Sequence, residues 1–327
     1  MSTNLPSNPS AASTPPHQPG AGFRHELFPY RGEEQFLTGT LGFIHEALAA
    51  DEAVVVAVPA DKTSLLRHEL GGEGAVTFVD TTTAGPNPGR HIAAWVTWMA
   101  EHGEGGRPVR GIGETAWRTV RSAAHLSELH HHEWLLNRAF AQSPAWSMLC
   151  PYDATDEDQG ALQSLSSCHP LIRQEGHHTS RNEGYLSGEV YPFHALPGPC
   201  DPYQEVNYTH GDLAAVRSKV AQCATDAGVP QERLSKLAVA VTEIATNSIR
   251  HGGGSGTLRT WAQESVFLCE FRDAGYIPDV MLGRIRPAAE QIGGRGLWLA
   301  HQLCDLVEIR SSPDQGTTVR LHTDIPR

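Results

Sequence analysis

The sequence has no uninterrupted apolar run near the ~18 residues that a membrane-spanning helix requires. Its amino terminus lacks the basic patch and apolar stretch of a secretory signal. Six cysteines in 327 residues are too few for a disulfide scaffold, so we expect a protein of the reducing cytoplasm. Basic residues are not in excess either, and the formal net charge of -12 argues against a dedicated nucleic-acid binder. Membrane, secreted and DNA-binding classes are therefore disfavoured.

What is present indicates about two domains. Hydrophobic residues make up 39% of the chain, enough to form buried cores. Residues 1–202 hold 23 acidic and 12 basic side chains, whereas residues 203–327 hold 14 and 13. This asymmetry predicts a boundary near Cys200. Residues 1–22 are rich in proline, serine and asparagine, and we expect a disordered tail there.

Residues 23–180 alternate helical and strand patterns, which predicts a mostly parallel α/β domain. The β-branched run at Ala53–Pro59 is typical of a strand buried on both faces. A helix is predicted over Glu128–Gln142 and a strand over Trp146–Asp153. Residues 181–202, rich in proline, glycine and histidine, are predicted to be a linker.

In residues 203–327 the predicted helices and strands no longer alternate as they do in the first half. A long amphipathic helix is predicted over Gln231–His251, stopped by a run of glycines. Strand patterns at Thr257–Ala262 and Val266–Arg272 predict a hairpin, and two more strands close the chain. Helices on one side of a mixed, mainly antiparallel sheet make this domain an α/β sandwich.

Two polar residues, Glu243 and Asn247, lie four positions apart on the predicted long helix. Residues at this spacing stand one above the other on the same helical face. An amide oxygen can ligate Mg²⁺ and a carboxylate can accept a proton, so the pair suits phosphate chemistry. Taken alone, the pair is also what an ordinary solvated helix surface carries.

Further motifs follow this helix, each with an ordinary structural explanation when isolated. Asp273 ends a predicted strand, and its carboxylate could accept a hydrogen bond from an exocyclic amine. Gly275 would let a flat ring approach the backbone, although an Asp-Gly turn is common. Gly293, Gly294 and Gly296 directly precede a predicted helix, whose exposed N–H groups and dipole favour phosphate.

In this order and spacing, the motifs resemble those of the GHKL (histidine-kinase-like, Bergerat) ATPase superfamily. The closest likeness is to its anti-sigma-factor branch of serine-kinase switch proteins. About eighteen residues separate Gly275 from Gly294, which is similar to the short lid of that branch. The resemblance covers roughly residues 205–325. It is carried by TEIATNSIRHG (Thr242–Gly252), RDAG (Arg272–Gly275), GGRGLWLAHQLCDLVEI (Gly293–Ile309) and GTTVRL (Gly316–Leu321).

The resemblance implies roles for individual residues. Asn247 corresponds to the Mg²⁺ ligand that bridges to the ATP phosphates, and Glu243 to the acidic residue that acts as general base. Asp273 corresponds to the carboxylate that reads the adenine amino group, with Gly275 beside the base. ATP and Mg²⁺ are therefore the expected cofactors.

The glycines and one threonine complete the expected site. Gly294 and Gly296 correspond to the glycines that hinge the lid and touch the phosphates, and Gly293 precedes them as a further predicted cofactor-binding residue. Thr317 corresponds to the threonine on the adenine side. The sequence departs from the family pattern at Tyr276, which follows Asp-Ala-Gly with no second glycine soon after it.

The first half of the chain resembles the MEDS sensory domain, which is similar to a RecA/KaiC-like α/β core and often precedes such kinase domains in actinobacterial regulators. The matching stretches are His25–Pro59, Arg110–Trp117 and Leu135–Asp153. No G-x-x-x-x-G-K-[ST] loop follows the strand that ends at Pro59; Ala60-Asp61-Lys62-Thr63-Ser64 stands there instead. We therefore predict no ATP at this domain.

The 18 histidines raise a metal hypothesis. Zinc is often held by paired ligands such as C-x₂₋₄-C or H-x₃₋₅-H, and no C-x₂₋₄-C pair occurs here. The consecutive residues His130–His132 would point about 100° apart on a helix and cannot all face one ion. A solvated polar face is the default interpretation, with Cys150 and Cys168 as core cysteines. Metal, redox or pH sensing stays open.

The resemblances together imply a cytoplasmic bacterial regulator. The C-terminal domain would bind ATP·Mg²⁺, phosphorylate a serine of an anti-anti-sigma partner and sequester a sigma factor, under control of the sensory domain. One alternative is a partner-switch protein that only binds, with nucleotide as a structural ligand. Another is a ligand- or metal-sensing regulator acting mainly through its first half. The resemblance allows a homodimer, and we expect no membrane or direct nucleic-acid partner.

Overall fold

The computed structural model describes residues 22–71, 74–81, 87–103, 107–114, 122–143, 146–155, 159–174, 178–188, 191–288 and 294–326. Nearly all of the predicted tail, residues 1–22, lies outside these residues, and so does Gly293. All six cysteines are described, and none forms a disulfide. No described helix combines the length and the hydrophobicity that crossing a membrane would require.

The first half of the chain alternates strands with helices. In chain order the elements are β1 (Arg24–Tyr30), α1 (Gly32–Ala49), β2 (Ala53–Val58), α2 (Ala60–Glu69), β3 (Val76–Asp80), α3 (His91–His102), β4 (Val109–Gly113), α4 (Ala123–Ala139), β5 (Trp146–Asp153), α5 (Gln159–Ser166), β6 (Leu171–Arg173) and β7 (Thr179–Arg181).

Within the described residues these strands form one sheet in the order β3-β2-β4-β5-β1-β6-β7. Neighbouring strands are parallel, except that β6 and β7 are antiparallel. Every residue of β2 is buried, as expected for a strand covered on both faces. Separate apolar clusters fill the two faces of the sheet. The predicted mostly parallel α/β architecture is confirmed.

Two elements of this half differ from the sequence prediction. Strand β1 was not predicted, because it carries the polar residues His25 and Glu26, which are nevertheless 0% and 1% exposed. Helix α4 begins at Ala123 and ends at Ala139, so the predicted bounds of 128–142 were wrong. The Ser122 side chain explains the earlier start, since it accepts a hydrogen bond from the His125 N–H as an N-cap.

The second half contains β8 (Gln204–Thr209), α6 (Leu213–Asp226), α7 (Gln231–His251), β9 (Ser255–Gln263), β10 (Val266–Asp273), α8 (Arg295–Leu303), β11 (Leu306–Ser312) and β12 (Gly316–Asp324). Its strands lie in the order β11-β12-β10-β9-β8. All four pairings between neighbours are antiparallel rather than mixed. One apolar core joins the helices to the sheet, which confirms the predicted α/β sandwich.

A segment without helix or strand in its described residues, 182–202, connects the two sheets. Tyr191 and Phe193 of this segment pack on His131 of α4, with ring-centroid distances of 5.2 and 4.4 Å. The Arg310 guanidinium of β11 lies 3.8 Å from the centre of the Phe193 ring. The connecting segment therefore packs between α4 and the second sheet.

The two halves also contact each other through a buried carboxylate. Glu128 of α4 is fully buried and accepts hydrogen bonds from Arg284 at 2.9 Å and from Arg310 at 2.7 Å. Arg284 is itself only 2% exposed. Removing one partner of such a buried ion pair costs several kcal/mol, because the remaining charge stays buried without its partner. The contact therefore fixes α4 against the second half.

A second contact holds the carboxyl end of α8. The last carbonyls of a helix have no partner within the helix. Here Arg90 donates from Nε to the His301 carbonyl at 2.8 Å and from Nη2 to the Cys304 carbonyl at 2.9 Å. Asn87 donates to the same two carbonyls at 2.9 and 3.3 Å. Residues of the first half thus cap a helix of the second.

Candidate functional site

A cavity of about 400 Å³ opens between α7, the end of β10 and the start of α8. Its volume falls within the range of small-molecule sites, about 300–1,000 Å³. The lining residues described by the structure come from all three elements, from the loop after β10 and from β12. They are Ile244, Asn247, Ser248, His251, Asp273, Gly275, Tyr276, Ile277, Pro278, Asp279, Leu282, Gly294, Gly296, Leu297, Thr317 and Val319.

Helix α7 presents two polar side chains toward α8. Its apolar stripe, including Val241 and Ile244, is buried in the core, whereas Glu243 and Asn247 are only partly buried. A Cβ placed on Gly296 would lie 2.9 Å from Glu243 Oε2 and 3.0 Å from Asn247 Nδ2. Both side chains therefore face the first turn of α8, although Glu243 does not itself line the cavity.

Neither Glu243 nor Asn247 makes a side-chain hydrogen bond or ion pair with any residue that the structure describes. Partly buried polar groups that lack a protein partner bond to water or to a ligand. A carboxylate and an amide left together without a protein partner beside a cavity are therefore available to a ligand or to a metal ion.

Asp273 stands at the end of β10, where the strand meets the end of α7. Its Oδ1 accepts a hydrogen bond from the Gly275 N–H at 2.8 Å. Its Oδ2 has no hydrogen-bond partner among the described residues and can accept one more donor. The approach of the two elements requires glycine, since a Cβ on Gly252 would lie 2.4 Å from the Asp273 carboxyl carbon. A Cβ on Gly275 would lie 2.6 Å from the His251 carbonyl oxygen.

Thr317 of β12 lies directly across the sheet from Asp273. Its hydroxyl donates to the Gly275 carbonyl at 2.9 Å and lies 2.7 Å from the Ser311 hydroxyl. Ser311 in turn accepts the Ile277 N–H at 2.9 Å. These bonds fix the backbone on both sides of Tyr276, which is 50% exposed and lines the cavity. Thr317 therefore holds this wall of the cavity in place.

Gly294 and Gly296 lie at the start of α8. Gly294 is the residue before the helix and has a positive φ of 77°, which favours glycine. Gly296 is buried against α7, as described above. The first N–H groups of a helix have no partner within the helix. Gly293, the third predicted glycine, lies outside the described residues.

The structure thus brings seven of the eight predicted site residues to one cavity or its edge. Sequence reasoning missed His251, which follows Asn247 at the next i+4 position of α7 and could have been found from that spacing. It also missed Asp279 and Leu282, which lie in an irregular segment with no periodic pattern.

A purine nucleotide fits this donor and acceptor set. Asp273 Oδ2 offers an acceptor for an exocyclic amine beside an exposed tyrosine and a glycine without a side chain. The Asn247 amide and the glycine-flanked helix start offer a cation ligand and N–H donors near each other. The site therefore provides for the base and for the phosphates at separate places.

Comparison with known proteins defines the class of each half. Residues 206–323 match the family model "Histidine kinase-like ATPase domain". Residues 24–170 match the model "MEDS: MEthanogen/methylotroph, DcmR Sensory domain". The chain therefore combines an N-terminal MEDS region with a C-terminal histidine-kinase-like ATPase region, as the sequence motifs predicted. The ATPase-domain match implies ATP binding.

Among solved structures, the chain is similar to the crystal structure of the RsbU and RsbW domains of Rv1364c from Mycobacterium tuberculosis. The sequence identity is 16%, the match covers 38% of this chain and 33% of that chain, and the TM-score is 0.29. The chain thus spans about a third of the length of that structure. A search of curated proteins gave no significant match.

Proposed function

We propose that this protein is a partner-switching serine kinase that controls a sigma factor. Its C-terminal domain would bind ATP·Mg²⁺, phosphorylate a serine of an anti-anti-sigma protein and sequester the sigma factor when that partner is phosphorylated. Such a role belongs to transcription regulation, as in a stress response, and to the cytoplasm. The observation that supports it best is that the Glu243 and Asn247 side chains and the Asp273 Oδ2 atom, all without a hydrogen-bond partner among the described residues, lie at one cavity or its edge in a histidine-kinase-like ATPase domain.

Recognition of the nucleotide would rest on the end of β10. Asp273 Oδ2 would accept the adenine amino group, while Gly275 leaves room for the ring against the backbone. Thr317 would hold the Gly275 carbonyl and with it the shape of the adenine side. The backbone of Gly294 and Gly296, with Gly293 before them, would receive the phosphates.

Chemistry would take place between α7 and α8. When bound, Mg²⁺ supplies positive charge that neutralises the phosphate oxygens. The Asn247 amide oxygen would hold that ion, and Glu243 one turn earlier would accept the proton of the incoming serine hydroxyl. In this arrangement, the protein contributes mainly positioning and electrostatic stabilisation.

The first half would control the site through two contacts, one with the lid, which is the segment between Gly275 and Gly294, and one with α8. Arg284 lies two residues after Leu282, which lines the cavity, and is bound to Glu128 of α4. The start of α8 borders the cavity while its end is capped by Arg90. A change in the sensory half would thus reach both the lid segment and α8.

The proposal is tested by incubating the full chain with γ-labelled ATP, Mg²⁺ and candidate anti-anti-sigma proteins while following label and complex formation. Glu243→Ala should keep ATP affinity but lower phosphotransfer by about 10²–10⁴-fold, since it removes the general base. Glu232→Ala, at the exposed start of α7, is the matched control. Transfer at the wild-type rate by the Glu243 variant would rule out this residue as the base. Partner binding without any labelling by the wild type would favour the non-catalytic alternative.

A further inference from the structure

Four ligand-type side chains meet inside the N-terminal α/β half, far from the ATP cavity. They are His25 of β1, Glu133 of α4, Cys150 of β5 and His169, which follows α5, and all four are buried. One ligand atom from each lies within 4.8 Å of the others. Two adjacent strands of the sheet, a helix and a loop thus deliver these groups to one point.

Four of the six distances between the ligand atoms are close to those of a tetrahedral metal site, and the other two are no longer than 4.8 Å. His25 Nε2 lies 3.2 Å from Cys150 Sγ and 3.3 Å from Glu133 Oε2. Glu133 Oε2 lies 3.5 Å from His169 Nε2 and 3.6 Å from Cys150 Sγ. Zinc–ligand bonds of ~2.0–2.3 Å in a tetrahedron give ligand–ligand edges of about 3.3–3.6 Å. An ion at the centre would therefore find Glu133 and His25 already at coordinating spacing, with Cys150 and His169 beside them.

The outer contacts orient both imidazoles for coordination. His169 Nδ1 lies 2.9 Å from the Leu165 carbonyl oxygen, to which only a protonated nitrogen can donate. His25 Nδ1 lies 3.2 Å from Asn137 Oδ1. The Asn137 amide nitrogen is occupied with carbonyls, including that of Cys168 at 2.8 Å, so its oxygen faces His25. Metal-bound histidines show this second contact almost always.

The tautomers that follow leave lone pairs at the centre. With Nδ1 protonated on each ring, both neutral imidazoles present an unprotonated Nε2 to the cluster. Two nitrogen lone pairs and a carboxylate then face one another, and this arrangement calls for a proton or a cation between them.

Glu133 supplies the strongest argument for a cation. Its side chain is buried, yet no Lys or Arg among the described residues pairs with it. Glu128, five residues earlier on the same helix, is paired with two arginines. A buried carboxylate whose only ion-pair partners in the described structure are two imidazoles needs a positive charge beside it, and buried charges in proteins are paired or coordinate metals. A bound ion would remove this cost.

We propose that His25, Glu133, Cys150 and His169 form a binding site for a divalent transition-metal ion, with Zn²⁺ as the ion that the ligand set fits best. Imidazole, thiolate and carboxylate are all zinc ligands, and four protein ligands fill a tetrahedral site. The site is therefore a structural or sensing site rather than one that activates water. Binding converts the Cys150 thiol to a thiolate and releases its proton to solvent.

The structure also offers a path for the ion to the cluster and a connection from the cluster to the second half of the chain. Glu133 borders a cavity of about 220 Å³ that His91 and His132 also line, and this cavity offers a path for the ion. Glu133 and Glu128 share helix α4, and Glu128 holds the second half through Arg284 and Arg310. The site thus occupies the element that joins the sensory half to the ATPase half.

The test uses the full chain, stripped with a chelator and titrated with Zn²⁺ against a colorimetric competitor and with Co²⁺ in the visible range. We expect one equivalent of tight zinc and the spectrum of tetrahedral cobalt with a thiolate–cobalt charge-transfer band. Cys150→Ser should abolish that band and weaken zinc by more than the ~10–100-fold that loss of an outer contact costs. Cys168→Ser removes a neighbouring buried thiol outside the cluster and should change neither result.

Folding of each variant is checked by circular dichroism, and the wild-type cobalt spectrum does not depend on any variant. A wild-type protein that takes up no zinc, or a folded Cys150→Ser variant that binds zinc as tightly as the wild type, would overturn the proposal and leave the cluster as a hydrogen-bonded network. Metal binding does not require the ATP site, so Asn247→Ala should bind zinc normally. This separates failure of the metal site from failure of the proposed kinase function.

Discussion

In the two halves of the chain, polar groups beyond the end of a strand are used in opposite ways. After β2, the Lys62 ammonium contacts the Glu114 carboxylate and the Tyr30 hydroxyl, and all three are largely buried. After β10, Asp273 keeps one oxygen without a partner in the described structure, and the nearby Asn247 amide has none. Charges that are already paired inside the protein are not available to a ligand. This difference supports placing the proposed nucleotide site in the second half.

The largest effect is expected when the amide proposed to hold Mg²⁺ is removed. Asn247→Ala should abolish Mg²⁺-dependent ATP binding, a loss of at least about 100-fold, because the variant lacks the amide oxygen proposed to hold the ion. Calorimetric titration of ATP with and without Mg²⁺ measures the effect. Glu232→Ala on the same helix serves as control, and unchanged ATP affinity in the Asn247 variant would contradict the site.

For the first half we predict the opposite result, a loss of stability without a loss of ATP affinity. Lys62→Met should leave ATP affinity unchanged but lower the free energy of unfolding by roughly 3 kcal/mol, because Glu114 is left buried with only Tyr30 as partner. Urea denaturation and ATP calorimetry measure the two effects. Lys236→Met, an exposed lysine of α7, is the control. Loss of ATP binding in the Lys62→Met variant would indicate a nucleotide site in the first half and would contradict the proposed site in the second half.

The free energy of unfolding of Lys62→Met should depend on pH in a particular way. Burial raises the pKa of Glu114, and removing Lys62 should raise that pKa further. A carboxyl whose folded pKa exceeds its unfolded value binds more protons when folded, so stability falls as pH rises above about 4.3. The deficit of Lys62→Met relative to wild type should therefore be larger at pH 7 than near pH 4.5. An equal deficit at both values would mean that Glu114 is not the group left uncompensated.

The smallest effect is expected where the halves meet. Arg90→Ala removes the hydrogen bonds that cap the end of α8, and we expect ATP affinity to fall about 3–10-fold, as for the loss of one or two ordinary hydrogen bonds. Arg107→Ala, which removes an exposed pair with Asp51, is the control. Equal affinities in the two variants would show that the capped end of α8 is not coupled to the cavity at its start.

Sequence reasoning predicted best the elements whose pattern is local. The bounds of α7 agree with the prediction at both ends, because its amphipathic spacing is regular and glycines follow His251. Strand β1 could not be predicted, since Glu133 and Arg173, which pair with its buried His25 and Glu26, lie more than 100 positions away in the sequence. The same holds for the cluster around Glu133, whose members are separated by up to 144 positions between His25 and His169.

The ATP site was more accessible to prediction than the metal cluster for a physical reason. Asn247, Asp273 and Gly296 fall at helix faces, strand ends and helix starts, where short motifs encode the local geometry. The space between them depends on glycine contacts across elements, such as Gly252 against Asp273, which no local pattern specifies.

The most direct measurement of the central claim is a crystal structure of the full chain with Mg²⁺ and a non-hydrolysable ATP analogue. We predict the adenine amino group on the Asp273 carboxylate, the ion on the Asn247 amide and the phosphates at the start of α8. An analogue bound beside Lys62 in the first half, or a C-terminal cavity that stays empty at saturating analogue, would contradict the account.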